Sequence, residues 1–174
     1  MPDRPEPPPA SPPVRPAVPA DAGEIARLRS AYVLSEPLGH AWLAVTREQL
    51  AQRLRPEGDA RAYVVDAPDG GLAACALALV HRVLPGPGYP RGLAARIHAV
   101  ATEPAHRRRG YARAVVSSLL GHLQMDGVTL FELHASDEAA PLYAELGFTR
   151  DPALMRMIRP VGQPSARLSR DREP

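Results

Sequence analysis

Arg107, Arg108 and Arg109 stand in a row in the stretch TEPAHRRRGYA, and Gly110 follows at once. Guanidinium groups hold phosphate and carboxylate oxygens through charge-assisted, often bidentate hydrogen bonds. A glycine beside them lets a ligand come close to the main chain, because no Cβ stands in the way. Three chemistries fit this combination: contact with a nucleic-acid backbone, a solvated charge run, and a seat for one small anion. Composition weighs against the first. The chain of 174 residues carries a formal net charge of only +2, and no second basic block supports the first, whereas nucleic-acid binders usually show a clustered basic excess. Stacking of bases also asks for aromatic residues, and Tyr111 is the one at hand.

Position separates the other two chemistries. RIHAVAT, residues 96–102, reads as a strand leading into the cluster. Beyond it Ala112, Val115, Val116, Leu119, Leu120 and Leu123 fall at i, i+3, i+4, i+7, i+8 and i+11, the apolar stripe of an amphipathic helix. The arginines therefore open a helix, whose first turn presents unpaired backbone N–H groups and a partial positive charge. Phosphates bind at such ends, so a pyrophosphate suits the stretch better than a duplex.

The elements that must position this loop follow from pattern. VRPAVPADAGEIARL reads as a short strand and then a helix opened by Asp21 and Glu24 in D-x-x-E spacing, with Asp21 accepting backbone N–H bonds. Ile25, Leu28 and Tyr32 share one face of that helix. Thr46 and Gln49 read as a second helix start. RAYVVD and LAACALALVHRV flank the turn PDGG and read as a β-hairpin. LPGPGYPRG is a loop, VTLFELHA (128–135) a strand, EAAPLYAEL a short helix capped by Gly147, and ALMRMI (153–158) a last strand. The order β–α–α–β–β–β–α–β–α–β predicts a layered α/β (α+β) fold. Residues 1–13 are a proline-rich, disordered tail, 14–160 the domain, and 161–174 an irregular tail.

Several functions are excluded by composition. The chain has no lysine and no asparagine, so lysine Schiff-base catalysis, a P-loop lysine and N-glycosylation are all ruled out. Avoidance of both residues fits a high-GC bacterial genome. The single cysteine, Cys75, lies in the apolar run LAACALALV and reads as a small core residue. That run is too short to cross a bilayer, which needs roughly 20 residues, and no signal-peptide pattern opens the chain; a cytoplasmic protein without membrane contact is expected. The histidines and acids show no metal-ligand spacing, so no metal is expected.

The stretch VATEPAHRRRGYARAVVSSLL resembles the acyl-CoA-binding motif of the GNAT superfamily of N-acyltransferases. The family pattern R/Q-x-x-G-x-G/A appears as Arg107-x-x-Gly110-x-Ala112. Val100-x-Thr102-x-Pro104-x-x-Arg107 matches a common bacterial version, and LHASDEAAPLYAELGF resembles the later LY-x-x-x-GF segment. The resemblance covers residues 14–160, the part before about residue 90 by pattern alone. It implies a mixed central sheet flanked by helices, with parallel strands splayed around the pantetheine of an acyl-CoA, most often acetyl-CoA.

Roles carry over position by position. The backbone N–H groups of Arg108, Arg109, Gly110, Tyr111 and Ala112 would bind the pyrophosphate, and Arg107 matches the first motif position. Val100 and Thr102, with Ala101 between them, match the strand that pairs with pantetheine. Tyr143 matches the tyrosine that protonates the departing thiolate; its alternative is to pack its helix on the sheet. The base stays open. His98 is one candidate, since a pKa near 6.5 suits the task, and strict alternation puts it on one face with Arg96 and Val100; a wall residue without proton transfer is the alternative. Glu132, His134 and Glu103 are others. The acceptor, a primary amine of a small molecule or peptide, would meet residues of the first half, drawn from Tyr32, Glu36, His40, Trp42, His81 and Tyr89. The family often forms homodimers. A non-catalytic acyl-CoA-binding or regulatory domain of the same fold is the alternative function.

Overall fold

The computed structural model describes residues 13–153 and Met155. A five-stranded sheet runs in chain order: β1 (Val14–Pro16), β2 (Ala60–Asp66), β3 (Leu72–Arg82), β4 (Leu93–Thr102) and β5 (Leu130–Leu133). Neighbours are antiparallel except β4 and β5, which are parallel. A parallel pair needs a crossover, and α3 (Tyr111–Met125) supplies it. The helices α1 (Ala22–Tyr32) and α2 (His40–Arg53) lie on one face of the sheet, and α3 on the other. The short helix α4 (Ala140–Glu145) follows β5. The mixed sheet with flanking helices is the layered architecture the element order predicts.

The hairpin forms as its turn residues require. Gly70 and Gly71 have φ of +100° and +75°, values that glycine adopts without steric cost. Strand alternation then sorts the core. Ala62, Val64, Cys75 and Leu77 pack with Ile25, Leu28 and Leu50 on the α1–α2 face. Ala74, Ala76 and Ala78 pack with Val115, Val116, Leu119 and Leu123 on the α3 face. Alanines on β3 leave room for α3 to sit close to the sheet, and the expected apolar stripe of α3 is the face it buries. Cys75 is fully buried, and burial pushes its thiol up to about 12, as fits a core residue rather than a nucleophile.

Local readings differ at four places. The second helix begins at His40 after Gly39, not at Thr46. The upstream residues Ala41, Leu43 and Ala44 are themselves good helix formers, and the Leu43 N–H already bonds the Gly39 carbonyl at 3.0 Å. Asp21 stands at the start of α1 but does not cap it. Its carboxylate instead receives the Val18 N–H at 2.8 Å and two bonds from the Arg15 guanidinium, which holds its pKa below the ordinary value. An arginine brought up by β1 outcompetes the helix amides. Strand β5 covers Leu130–Leu133, shorter than the span 128–135. The last expected strand, 153–158, and both tails fall almost wholly outside the described residues.

The fourth difference bears on the site. Pairing of β3 with β4 shifts register, Leu77 facing Ala99 while Ala78 faces Ile97. His98 is thus the extra residue of a β-bulge, a feature that re-aims side chains. Ala95 and Ile97 pack on the α3 face, whereas Ala99 and Ala101 pack on the α1–α2 face. Arg96 and His98 consequently face α1 and α2, while Val100 packs toward α3. The expectation that Arg96, His98 and Val100 share one face assumed unbroken alternation, and the bulge breaks it.

Candidate functional site

Strand β4 is flanked on both sides only over its first half. Its parallel pairing to β5 runs from Ala94–Leu130 to Ile97–Leu133 and stops there. Pairing to β3 continues to Thr102. From His98 onward, then, one edge of β4 is open among the described residues. The Glu103 N–H bonds the Ala73 carbonyl at 2.8 Å, so Glu103 and, by ladder alternation, Ala101 turn their backbone groups toward β3. Those of Val100 and Thr102 point to the open edge. An extended ligand would be gripped there as an added strand. Ala101 lies between them with its methyl buried.

At the end of this edge the chain enters the arginine loop. A short 3-10 turn, Pro104–His106, precedes Arg107. Arg108 is a non-glycine residue with positive φ, at +63°, and Gly110 lies at +76°. Left-handed residues in succession with right-handed ones curl backbone N–H groups into an anion-binding concavity. Among the described residues, the N–H groups of Arg108 through Arg113 donate to no acceptor; the first bonded amide of α3 is that of Ala114, to Gly110. A Cβ built on Gly110 meets nothing within 4 Å, so the concavity is open. The guanidinium of Arg107 lies 5.9 Å from the Tyr32 ring centre, and none of Arg107, Arg108 or Arg109 is paired to a carboxylate among the described residues. Unpartnered amide donors and the positive end of the α3 dipole thus meet at one open cradle.

Glu103 is otherwise engaged. It accepts from the Tyr32 hydroxyl at 2.8 Å and pairs with Arg27 at 2.6 Å, and its pKa is held below the usual carboxylate value, first by that tyrosine bond. Such a group is a poor base at neutral pH. Tyr143 is buried on the α3 face, its ring edge-on to Phe148 with centres 5.9 Å apart. Gly147, at φ +96°, turns the chain after α4 so that the Phe148 N–H bonds the Tyr143 carbonyl. Burial raises the phenol pKa above 10.0, which keeps it a proton donor.

The scan against protein families matches residues 25–148 to the acetyltransferase (GNAT) family. This chain belongs to the GNAT family. The structure of a GCN5-related N-acetyltransferase from Ralstonia eutropha is 25% identical, covers 83% of this chain and 97% of that one, and superposes with a TM-score of 0.69. A predicted acetyltransferase from Clostridium acetobutylicum, crystallised with acetyl-CoA, is 18% identical, covers 83% and 94%, and has a TM-score of 0.72. Glucosamine-6-phosphate N-acetyltransferase from Arabidopsis thaliana is 17% identical, with coverage of 83% and 96% and a TM-score of 0.64. None of the curated proteins matches by sequence. In this GNAT chain the free edge of β4 leads to the row of unpartnered amides at the start of α3. No helix among the described residues is long and apolar enough to cross a membrane, and no group of histidines, cysteines and acids among them is placed to hold a metal.

The other expected residues are spread more widely. His98 lines a cavity of about 210 Å³ between β3, β4, α1 and α2, together with Arg29, Thr46, Gln49, Arg53 and Leu77. His134 does not join it: its ring meets the Arg96 guanidinium at 3.2 Å. Glu132 pairs in register with Arg96 and is exposed. Of the pool Tyr32, Glu36, His40, Trp42, His81 and Tyr89, none lines the cavity. Arg29, Thr46, Gln49 and Arg53 line it, and none was expected at the site; Thr46 and Gln49 were read from sequence as a helix start alone. The helical spacing of Trp42, Thr46, Gln49 and Arg53 marks one stripe of α2, a signal visible once its true start is known.

Proposed function

We propose that this GNAT chain is an N-acetyltransferase that moves acetyl from acetyl-CoA to a primary amine by direct attack within a ternary complex. The row of unpartnered amides from Arg108 to Arg113, in line with the open edge of β4, carries this reading. The cradle amides would hold the pyrophosphate, and Val100 and Thr102 the pantetheine. Holding both substrates makes the reaction effectively unimolecular. The acceptor nitrogen forms a C–N bond to the acetyl carbon as the C–S bond breaks. A backbone N–H near Val100 would stabilise the oxyanion, Tyr143 would donate a proton to the leaving thiolate, and the amine proton would pass to His98 or to water.

His98 suits that role in charge state. Its burial, followed by the charges of Arg96, Arg29, Arg53 and His81, holds its pKa below 6.5, so at neutral pH it is an unprotonated acceptor. The acid limb of the pH–rate profile is therefore expected below pH 6.5, and His98→Gln should remove that limb. A variant with the wild-type profile excludes His98 as the base. Linkage has a definite sign here: the folded pKa lies below the unfolded one, so His98 contributes stability that is present above pH 6.5 and lost as pH falls through the folded value.

Release of CoA thiol over a panel of amines tests the proposal. Turnover on any amine supports it. Tight binding of acetyl-CoA with no turnover on any of them would instead favour a non-catalytic acyl-CoA-binding domain.

A further inference from the structure

The cavity beside His98 has a one-sided charge. Arg29 comes from α1 and Arg53 from α2, and among the described residues no carboxylate lines the space with them. Arg53 reaches Asp59 at 3.5 Å, outside the lining, while Arg29 has no acidic partner among the described residues. The charge of Arg96 also acts on the His98 imidazole, and its guanidinium meets the His134 ring. Leu50, Leu77, Leu79 and Ala26 close the remaining wall. A cation brought here would meet the unpaired charge of Arg29 and that of Arg53, which Asp59 offsets only from outside the space, and repulsion strengthens as a site is desolvated.

We propose that this cavity selects a small acceptor that carries a carboxylate or phosphate beside its amine, with Arg29 and Arg53 holding the anion and His98 facing the amine. The inference rests on the acetyltransferase reading above. Three observations support it together. Guanidinium groups on two different helices converge on one space, the arrangement that suits bidentate oxyanion binding. The space, about 210 Å³ and open to solvent on one side, admits the head of a small acceptor such as an amino acid. The same positive field disfavours a protonated amine, so it favours the neutral nucleophile that attack requires.

The test compares matched amines that differ in the anion alone. One arm sets amino acids against their primary amides; the other sets amino-sugar and aminoalkyl phosphates against their dephosphorylated forms. Rates of CoA release and acetyl-CoA affinity by calorimetry are measured on wild type, Arg29→Gln and Arg29→Lys. The expected result is a preference in kcat/KM of roughly ten- to a hundredfold for the anionic member in one arm, the range of a charged hydrogen bond. Arg29→Gln should erase most of it and Arg29→Lys restore part, with acetyl-CoA affinity unchanged in both. The arm that responds identifies carboxylate or phosphate. Preference for neutral or polycationic amines, turnover of neutral members without any anionic one, or a preference that survives Arg29→Gln overturns the inference and leaves the acetyltransferase reading standing, whereas acetyl-CoA binding without turnover of any amine overturns both. Failure of wild type to bind acetyl-CoA overturns that reading instead.

Discussion

Gly110→Val is expected to weaken acetyl-CoA binding by roughly ten- to a hundredfold, the loss of a charge-assisted hydrogen bond or two. Gly110 opens α3 at φ +76°, where a β-branched residue is strained by about 1–2 kcal/mol. No protein atom lies within 4 Å of a Cβ at this position, so the substitution does not clash inside the fold. Its methyl groups would fill the concavity and the strain would turn the amides of Tyr111 and Ala112 away. Calorimetric titration and urea denaturation separate the two effects. A stable variant with wild-type affinity would contradict the cradle. Arg108→Gly is the informative control. Arg108 already sits at φ +63°, a conformation glycine accepts freely, so this change keeps the amide and deletes the charge. It should cost less affinity than Gly110→Val if the main chain does the binding.

Tyr143→Phe should lower kcat by about a hundredfold or more, within the range of general acid catalysis, and change acetyl-CoA affinity by less than about threefold. The reason lies in what the substitution keeps. The ring is buried against Phe148 among the α3-face side chains, and phenylalanine retains that packing. Only the hydroxyl is lost. Its pKa is raised by burial, which alone would make it a weaker donor toward a thiolate. A thiolate in the same desolvated space is raised as well, so the two shifts offset and transfer remains feasible as the C–S bond breaks. A stopped assay with saturating amine and acetyl-CoA reads kcat directly. Wild-type turnover would remove Tyr143 from the mechanism and leave it a packing residue.

What could be read from residues alone divides along physical lines. The loop and α3 were legible because their determinants are local: a helical stripe from Ala112 to Leu123, a strand before it, a glycine at the joint. The hairpin was legible through PDGG for the same reason. The bulge at His98 was not, since nothing in RIHAVAT interrupts alternation; the extra residue is set by how Leu77 and Ala78 on β3 pair with it. The choice of Asp21 to bind Arg15 rather than cap a helix likewise depends on β1 lying beside that helix start. T-x-x-Q at Thr46 misled because a capping spacing is weaker than the helix formers Ala41, Leu43 and Ala44 before it. The cavity was the least visible feature. Arg29 and Arg53 belong to different helices, 24 positions apart by number, and only the packing of α1 and α2 on one sheet face brings them to His98.

The central claim is that main-chain amides, rather than the three arginine side chains, receive the donor. Residue-resolved amide hydrogen exchange, followed by NMR with and without saturating acetyl-CoA, tests it most directly. Without ligand the unpartnered amides from Arg108 to Arg113 should exchange fast. On binding, protection should appear at Arg108 to Ala112 and at Val100 and Thr102, while Ala101, already turned toward β3, changes little. Saturable binding of acetyl-CoA that leaves the amides of Arg108 to Ala112 exchanging freely would contradict the account.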